Sequence, residues 1–99
     1  MAVHHVVTIH VAPGRADEFA AAFNTLRSAV QQEEGCEQYE LFQSLDAPDK
    51  LVILERWTDQ ALLDRHQEVE RTQYTKLIEP LMKLWAPGDP PSVARYETP

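Results

Sequence analysis

Basic residues are scarce in this chain. Its 99 residues include 9 lysines and arginines against 16 aspartates and glutamates, which gives a formal net charge of −7. Binding to nucleic acid or to an anionic membrane surface requires clustered lysine and arginine. The composition therefore argues against both partners, and we interpret the acidic excess as a contribution to solubility.

Cysteine is almost absent as well, since Cys36 is the only one. A single thiol cannot form an internal disulfide or a cysteine-rich zinc site. No histidine or basic residue lies near Cys36 in the sequence, which disfavours a catalytic thiol. We interpret Cys36 as a small buried apolar residue at the start of a strand.

Long hydrophobic runs are also missing. No segment approaches the ~20 apolar residues of a membrane span, and the first residues do not combine a basic region with an apolar run, as a signal peptide does. The sequence therefore predicts a cytoplasmic protein. Its length fits one domain over residues 1–99, with a core over about 3–83 and a C-terminal loop and short strand over 84–99.

What the chain does contain is a regular alternation of strand and helix patterns. Period-two alternation predicts strands over residues 3–11, 36–45, 51–57 and 93–97. Apolar spacings of three and four predict a helix over 15–33 and a helix that starts at Thr58 or Asp59. A polar patch over 67–72 then precedes a further helical run through Tyr74, Leu77, Ile78 and Leu81. In that region Pro80 should kink the helix or begin a new turn. The order predicts an α+β, ferredoxin-like βαββαβ fold with an antiparallel sheet.

The third predicted strand suggests a partner subunit. Residues 51–54 read LVIL and are apolar on both faces, as in strands that are covered on both sides. Two helical regions are enough to cover one face of a sheet. We therefore predict that a second copy of the chain covers the other face.

Four groups of residues occur along 3–83 in an order and spacing typical of one family. They are Pro13-Gly14 with Asp17-Glu18-Phe19, Glu34-Gly35-Cys36 with Tyr39-Glu40, Glu55-Arg56-Trp57, and Ala61-Leu62 with His66. With them the chain resembles the antibiotic biosynthesis monooxygenase (ABM) domain family, including its quinol monooxygenase-like members. The resemblance implies a ferredoxin-like homodimer that closes a dimeric α/β barrel. It also implies oxidation of a quinol or polyketide-like aromatic by molecular oxygen, with no flavin, haem or metal.

The chain departs from the family at two places. Many relatives carry Pro-His shortly after the helix that holds His66, whereas this chain has Glu70-Arg71 in that region. A mechanism that needs that second histidine does not carry over. The haem-degrading branch uses an Asn, a Trp and a His at positions occupied here by Val7, His66 and Lys76, which argues against haem degradation.

His66 is the candidate catalytic residue. Its spacing places it on one helix face with Leu62 and Leu63, so that it projects toward the sheet. A half-buried imidazole can take a proton from a phenol near neutral pH. The alternative is a core histidine with one satisfied hydrogen bond, and the family resemblance supports the role of base.

Three aromatic residues and His5 are candidates for substrate binding. Trp57, Tyr39 and Tyr74 could wall a flat pocket, although core packing explains a buried aromatic equally well. Alternation places Tyr39 on one face of its strand with Leu41, and places Cys36 with Phe42 on the other.

The first strand carries three histidines that resemble a metal cluster. His4 and His10 share a face but lie roughly 20 Å apart along a strand. His5 lies on the opposite, apolar face, where it could line the same pocket. We therefore predict no metal site.

Glu55 shares its strand face with Trp57, and Arg56 points the other way. A carboxylate on an apolar strand must find a partner or water. We interpret Glu55 as half of an ion pair at a helix or subunit contact, and we interpret Glu40 in the same way.

These observations predict a cofactor-independent monooxygenase with His66 as base. Its partners would be a small aromatic substrate, molecular oxygen and a second copy of the chain. Two other functions remain open. One is an isomerase or tautomerase that uses the same pocket, and the other is a non-catalytic dimeric stress or ligand-binding module.

Overall fold

The computed structural model describes residues 1–99 as one four-stranded antiparallel sheet with three helices. None of these helices has the length and apolar character needed to cross a membrane. The predicted ferredoxin-like α+β fold is confirmed, with strand order β2-β3-β1-β4. Along the chain the elements are β1 (Ala2–His10), α1 (Ala16–Val30), β2 (Cys36–Gln43), β3 (Lys50–Trp57), α2 (Gln60–Gln73), α3 (Thr75–Met82) and β4 (Ser92–Thr98).

The second helical region consists of two helices. Asp59 caps α2, because its side chain accepts a hydrogen bond of 2.9 Å from the Leu62 amide. α2 continues through the polar patch over 67–72 to Gln73, and Tyr74 separates it from α3, which begins at Thr75. The break between the two helical runs therefore falls after the polar patch, and Pro80 lies inside α3.

The helices cover one face of the sheet. Residues opposite each other in an antiparallel pair project to the same side, and β3 pairs with β1 as Trp57 to Val3 and Glu55 to His5. On β2, Tyr39 lies opposite Glu55. These positions face the hydrophobic core, whose largest fully buried side chains include Trp57, Phe19 and Phe23.

One predicted orientation on β2 is wrong. Cys36 lies opposite Trp57, whereas Gln38 lies opposite Arg56, with a register shift between the two. A β-bulge inserts one extra residue and so moves the residues before it to the other face. Cys36 therefore faces the helices and does not share a face with Phe42.

The other face of the sheet has no helix against it. Leu51 and Ile53 are buried by the helices, but Val52 and Leu54 on the alternate positions are only half-buried. The apolar residues that share this open face with them are Val6, Phe42, Ala94 and Tyr96, and the polar ones include His4, Thr8, Glu40 and Arg56. Phe42 is 46% exposed and Tyr96 is 57% exposed. The open sheet face, as we call it, therefore mixes apolar and polar residues and is uncovered within one subunit.

Candidate active site

A cavity of about 550 Å³ lies between the helix-covered face of the sheet and helices α2 and α3. This volume lies within the ~300–1,000 Å³ typical of ligand pockets. Its walls combine an apolar majority with a few polar groups. The lining residues are His5, Val7, Ile9, Leu26, Tyr39, Ile53, Glu55, Gln67, Glu70, Ile78, Trp85, Pro90, Pro91 and Val93.

His66 lies behind the wall of this cavity and does not line it. Its side chain is 1% exposed and stacks on the Trp57 indole, with ring centroids 4.4 Å apart. The edge of Tyr39 meets the same imidazole at 5.9 Å. Packing on two sides therefore fixes the plane of the ring and directs its two nitrogens at defined neighbours.

Those neighbours are three carboxyl groups. The Nδ1 atom of His66 lies 3.1 and 3.0 Å from the two carboxylate oxygens of Glu33, within hydrogen-bond distance of both. The Nε2 atom is 3.3 Å from Glu70 Oε1 and 3.9 Å from Glu55 Oε1. Nε2 is buried and has no hydrogen bond of acceptable geometry. One imidazole thus holds together acids from β3, from α2 and from the turn after α1.

This arrangement changes the charge of the imidazole. Burial by itself lowers the pKa of His66, but the carboxylates of Glu70 and Glu33 outweigh burial, so that the pKa is raised above its ordinary value. The carboxylates therefore favour the protonated ring more than water does around an ordinary histidine. Burial and the nearby Glu55 carboxylate also raise the pKa of the Tyr39 phenol, which keeps that group neutral.

Glu55 is the acid that both lines the cavity and contacts this cluster. The Trp57 indole N–H donates a hydrogen bond of 3.0 Å to Glu55 Oε1. Burial raises the pKa of Glu55 to about 7, although the Trp57 hydrogen bond and the charge of His66 act to lower it. A carboxyl group with this pKa can gain or lose a proton near neutral pH at the cavity wall.

The structure separates the predicted site residues into three places. His5 and Tyr39 line the cavity. Trp57 and His66 are buried behind its wall. Tyr74 lines a different cavity of about 440 Å³, beside Glu33; burial and the Glu33 carboxylate raise its pKa to about 12.

The other histidines of β1 lie apart. His4 contacts the Thr98 hydroxyl at 2.9 Å, and His10 contacts Asp89 at 3.1 Å. His5 is alone in the cavity wall, and burial followed by the nearby Arg95 charge lowers its pKa. No group of three or more potential ligands forms a metal site anywhere in the chain.

Sequence reasoning missed two of the three acids around His66. Glu70 carried a usable signal, because a residue four positions after His66 lies on the same helix face. Glu33 carried none, since it lies 33 positions away in the turn after α1. Glu55 was predicted to form an ion pair at a helix or subunit contact, and His66 Nε2 on α2 does lie 3.9 Å from its carboxylate. The Trp57 hydrogen bond to Glu55 and its place in the cavity wall were not predicted.

The chain matches a known family model over most of its length. Residues 2–75 match the model described as "Antibiotic biosynthesis monooxygenase". Among curated proteins, the chain is similar to "Putative monooxygenase YcnE" of Bacillus subtilis (strain 168). The two are 34% identical over 65 residues, which is 66% of this chain and 68% of that protein.

Solved structures share the complete fold. A conserved protein from Methanosarcina mazei Go1 is 30% identical with a TM-score of 0.79, over 98% of this chain and 94% of that one. A structure from Caulobacter crescentus CB15, named a "putative antibiotic biosynthesis monooxygenase", is 25% identical with a TM-score of 0.84, over 98% and 89% of the two chains.

Proposed function

Since the chain belongs to the antibiotic biosynthesis monooxygenase family, we propose that it oxidises a quinol or a related phenolic aromatic with molecular oxygen, without a flavin, haem or metal. The observation that carries the proposal is the Glu55 carboxyl. It lines a cavity large enough for an aromatic ring and has a pKa of about 7. The monooxygenase name of the Bacillus subtilis relative points to the same class of reaction.

The first step of the proposed reaction is removal of the substrate's hydroxyl proton by the Glu55 carboxylate. His66 completes the base, because its positive ring 3.9 Å away favours the ionised form of Glu55. Glu33 and Glu70 in turn hold His66 in its charged form. His66 therefore acts through Glu55, which is the group that reaches the cavity.

Molecular oxygen then accepts electrons from the substrate itself. The phenolate transfers one electron to oxygen, which avoids the spin barrier to direct reaction and gives a phenoxyl radical and superoxide. These combine at a ring carbon to form a peroxide. Cleavage of its O–O bond leaves one oxygen atom on the ring, and the other departs as water with protons that came from the substrate. For a simple quinol the balance is quinol plus oxygen to hydroxyquinone plus water.

The proposed enzyme is a cytoplasmic homodimer. Support for the dimer comes from the open sheet face, where Val52, Leu54 and Phe42 lie uncovered by any helix. Burial of apolar surface contributes about 25 cal/mol per Å², so a second copy of the same face would stabilise both subunits.

The same cavity would also suit an isomerase or tautomerase. A carboxyl group with a pKa of about 7 can move a proton between two carbon or oxygen atoms without any oxygen consumption. A non-catalytic binding module remains the third possibility, in which His66 and Trp57 serve only to pack the core. The Glu55 carboxyl in the cavity wall favours the two enzymatic functions over this one, because binding alone does not need a group that titrates near neutral pH.

An oxygen-uptake assay separates these functions. Purified protein is supplied with a panel of dihydroxyarenes in ¹⁸O₂, and the product is examined by mass spectrometry. We expect uptake above the uncatalysed rate and one ¹⁸O atom in the product. Conversion that continues under anaerobic conditions would support the isomerase. If no compound of the panel is converted, the result would support the non-catalytic binding module.

A further inference from the structure

The charged groups in the cavity wall are acids, and from this we propose that the cavity selects hydroxyarenes that carry no anionic group. Glu70 is the residue that rejects analogues with a carboxylate or a phosphate. The inference rests on the proposed function, since it takes the ligand to be a hydroxyarene, and it adds the charge of that ligand.

The lining contains two carboxyl groups and no lysine or arginine. Glu55 and Glu70 are the carboxyl groups among the 14 lining residues. His5 is the remaining titratable nitrogen group, and burial together with the Arg95 charge lowers its pKa, which favours the neutral ring. Sites that bind a carboxylate or phosphate through side chains use arginine or lysine, and this wall offers neither.

His66 does not supply the missing positive charge. Its ring is buried behind the wall, and its Nδ1 contacts both oxygens of Glu33. Its Nε2 lies 3.3 Å from Glu70. Three carboxyl groups surround one imidazole, so the cluster as a whole remains negative even when His66 is protonated.

Glu70 holds the position at which an incoming anion would meet this charge first. It lies in the last turn of α2 (Gln60–Gln73), where the helix dipole is also negative. Together with Gln67 and Ile78 it lines both the cavity and a neighbouring surface groove of about 460 Å³. The one cation of this groove, Arg71, is paired with Glu68. An anionic substituent near this junction of groove and cavity would therefore be repelled by the Glu70 carboxylate and by the helix end.

Two ligands of the same shape test the proposal. They are 5-hydroxy-1-naphthamide and 5-hydroxy-1-naphthoate, which share a ring system and a hydroxyl and differ in the charge of one substituent. Their dissociation constants are measured by titration calorimetry under anaerobic conditions, so no turnover is needed. We expect the carboxylate to bind at least about tenfold more weakly than the amide, as expected for like charges a few Å apart at the protein surface.

The matched variants are Glu70→Gln and Glu79→Gln. Glu79 is exposed on α3 and lines the groove but not the cavity. We expect Glu70→Gln to reduce the amide-to-carboxylate preference several-fold and Glu79→Gln to leave it unchanged. Thermal unfolding of each variant is recorded to show that it is folded. The amide-to-carboxylate preference of the unmodified chain is measured independently of the variants.

The possible outcomes contradict different parts of the proposal. Equal affinities in the unmodified chain, or the same preference after Glu70→Gln, would overturn charge selection and leave the proposed function standing. If neither ligand binds, both the charge selection and the hydroxyarene cavity are wrong.

Discussion

The Trp57 indole donates its hydrogen bond to Glu55, two residues earlier on the same face of β3. Trp57 is completely buried and stacks on His66. The hydrophobic core therefore sets the position of the acid that lines the cavity. A substitution that changes the packing of Trp57 should therefore displace both Glu55 and His66.

Substitution of Glu55 by Gln should abolish most of the activity and preserve the fold. The amide oxygen of Gln can still accept the Trp57 hydrogen bond, but it cannot take a proton from the substrate. We expect the rate of oxygen uptake to fall by about 100-fold or more, as for loss of a general base. Glu40→Gln is the control, because Glu40 lies on the open sheet face. An unchanged rate in Glu55→Gln would rule out Glu55 as the base.

The dependence of kcat/KM on pH should report the Glu55 carboxyl. The base acts when ionised, so kcat/KM should rise with pH through about 7. His66→Gln removes a positive charge that lowers the Glu55 pKa, so the midpoint should move to higher pH and the rate at neutral pH should fall. Arg56→Gln removes a charge on the other sheet face and should not move the midpoint. A midpoint that stays in place in His66→Gln would show that the two groups are not coupled.

The free energy of unfolding should depend on pH through the ionisation of Glu55. Its pKa is about 7 in the folded chain and 4.5 in the unfolded chain, so its protonated form stabilises the fold fully below pH 4.5. That contribution is lost as pH rises through 7, and it amounts to about 3 kcal/mol. Relative to Glu55→Gln, the unmodified chain should therefore lose stability between pH 5 and 8 in urea unfolding.

If the unmodified chain and Glu55→Gln differ by a constant free energy of unfolding between pH 5 and 8, Glu55 is not a buried, neutral carboxyl. His66 should add to the loss in the unmodified chain, because its raised pKa gives stability that is present below 6.5 and disappears as pH rises through the folded value.

Gly35 should be the glycine least tolerant of substitution. Its φ of +87° disfavours any side chain, and a Cβ there would lie 2.6 Å from Leu62 Cδ1. We expect Gly35→Ala to cost about 2–4 kcal/mol, the sum of a left-handed backbone and an overpacked contact. Gly14→Ala is the control, since its φ is +77° but its Cβ would meet nothing within 4 Å; it should cost about 1–2 kcal/mol. Equal losses in chemical denaturation would show that the Leu62 contact is unimportant.

The open sheet face should hold two subunits together. Leu54→Asp places a charge at the centre of this face, next to Val6, and should convert a dimer into a monomer in sedimentation velocity at micromolar concentration. Leu45→Asp makes the same change at a fully exposed position in the β2–β3 turn and should leave the dimer intact. An unmodified chain that sediments as a monomer would exclude the proposed pairing.

Strand and helix patterns predicted most of the fold because they depend on near neighbours in the chain. Alternation placed Glu55 with Trp57 on one face of β3 and Tyr39 with Leu41 on one face of β2, and the register shows that these are the same face of the sheet. The prediction failed at Cys36, where a bulge shifts the register, and no local pattern marks that bulge. The break between the last two helices was predicted at the polar patch over 67–72 but falls at Tyr74, because polar residues on an exposed helix face do not interrupt a helix.

By itself, the sequence determined the order of elements, the faces of the strands, the family and the apolar character of both sides of β3, since all of these follow from local periodicity and local motifs. Tertiary structure alone brought Glu33 and Glu55 to His66, whereas Glu70 lies one turn after it on the same helix. Glu33 follows α1 and Glu55 lies on β3, and only packing brings these two within 4 Å of the ring. It also decided their chemistry, because a pKa depends on burial and on charges that lie close in space.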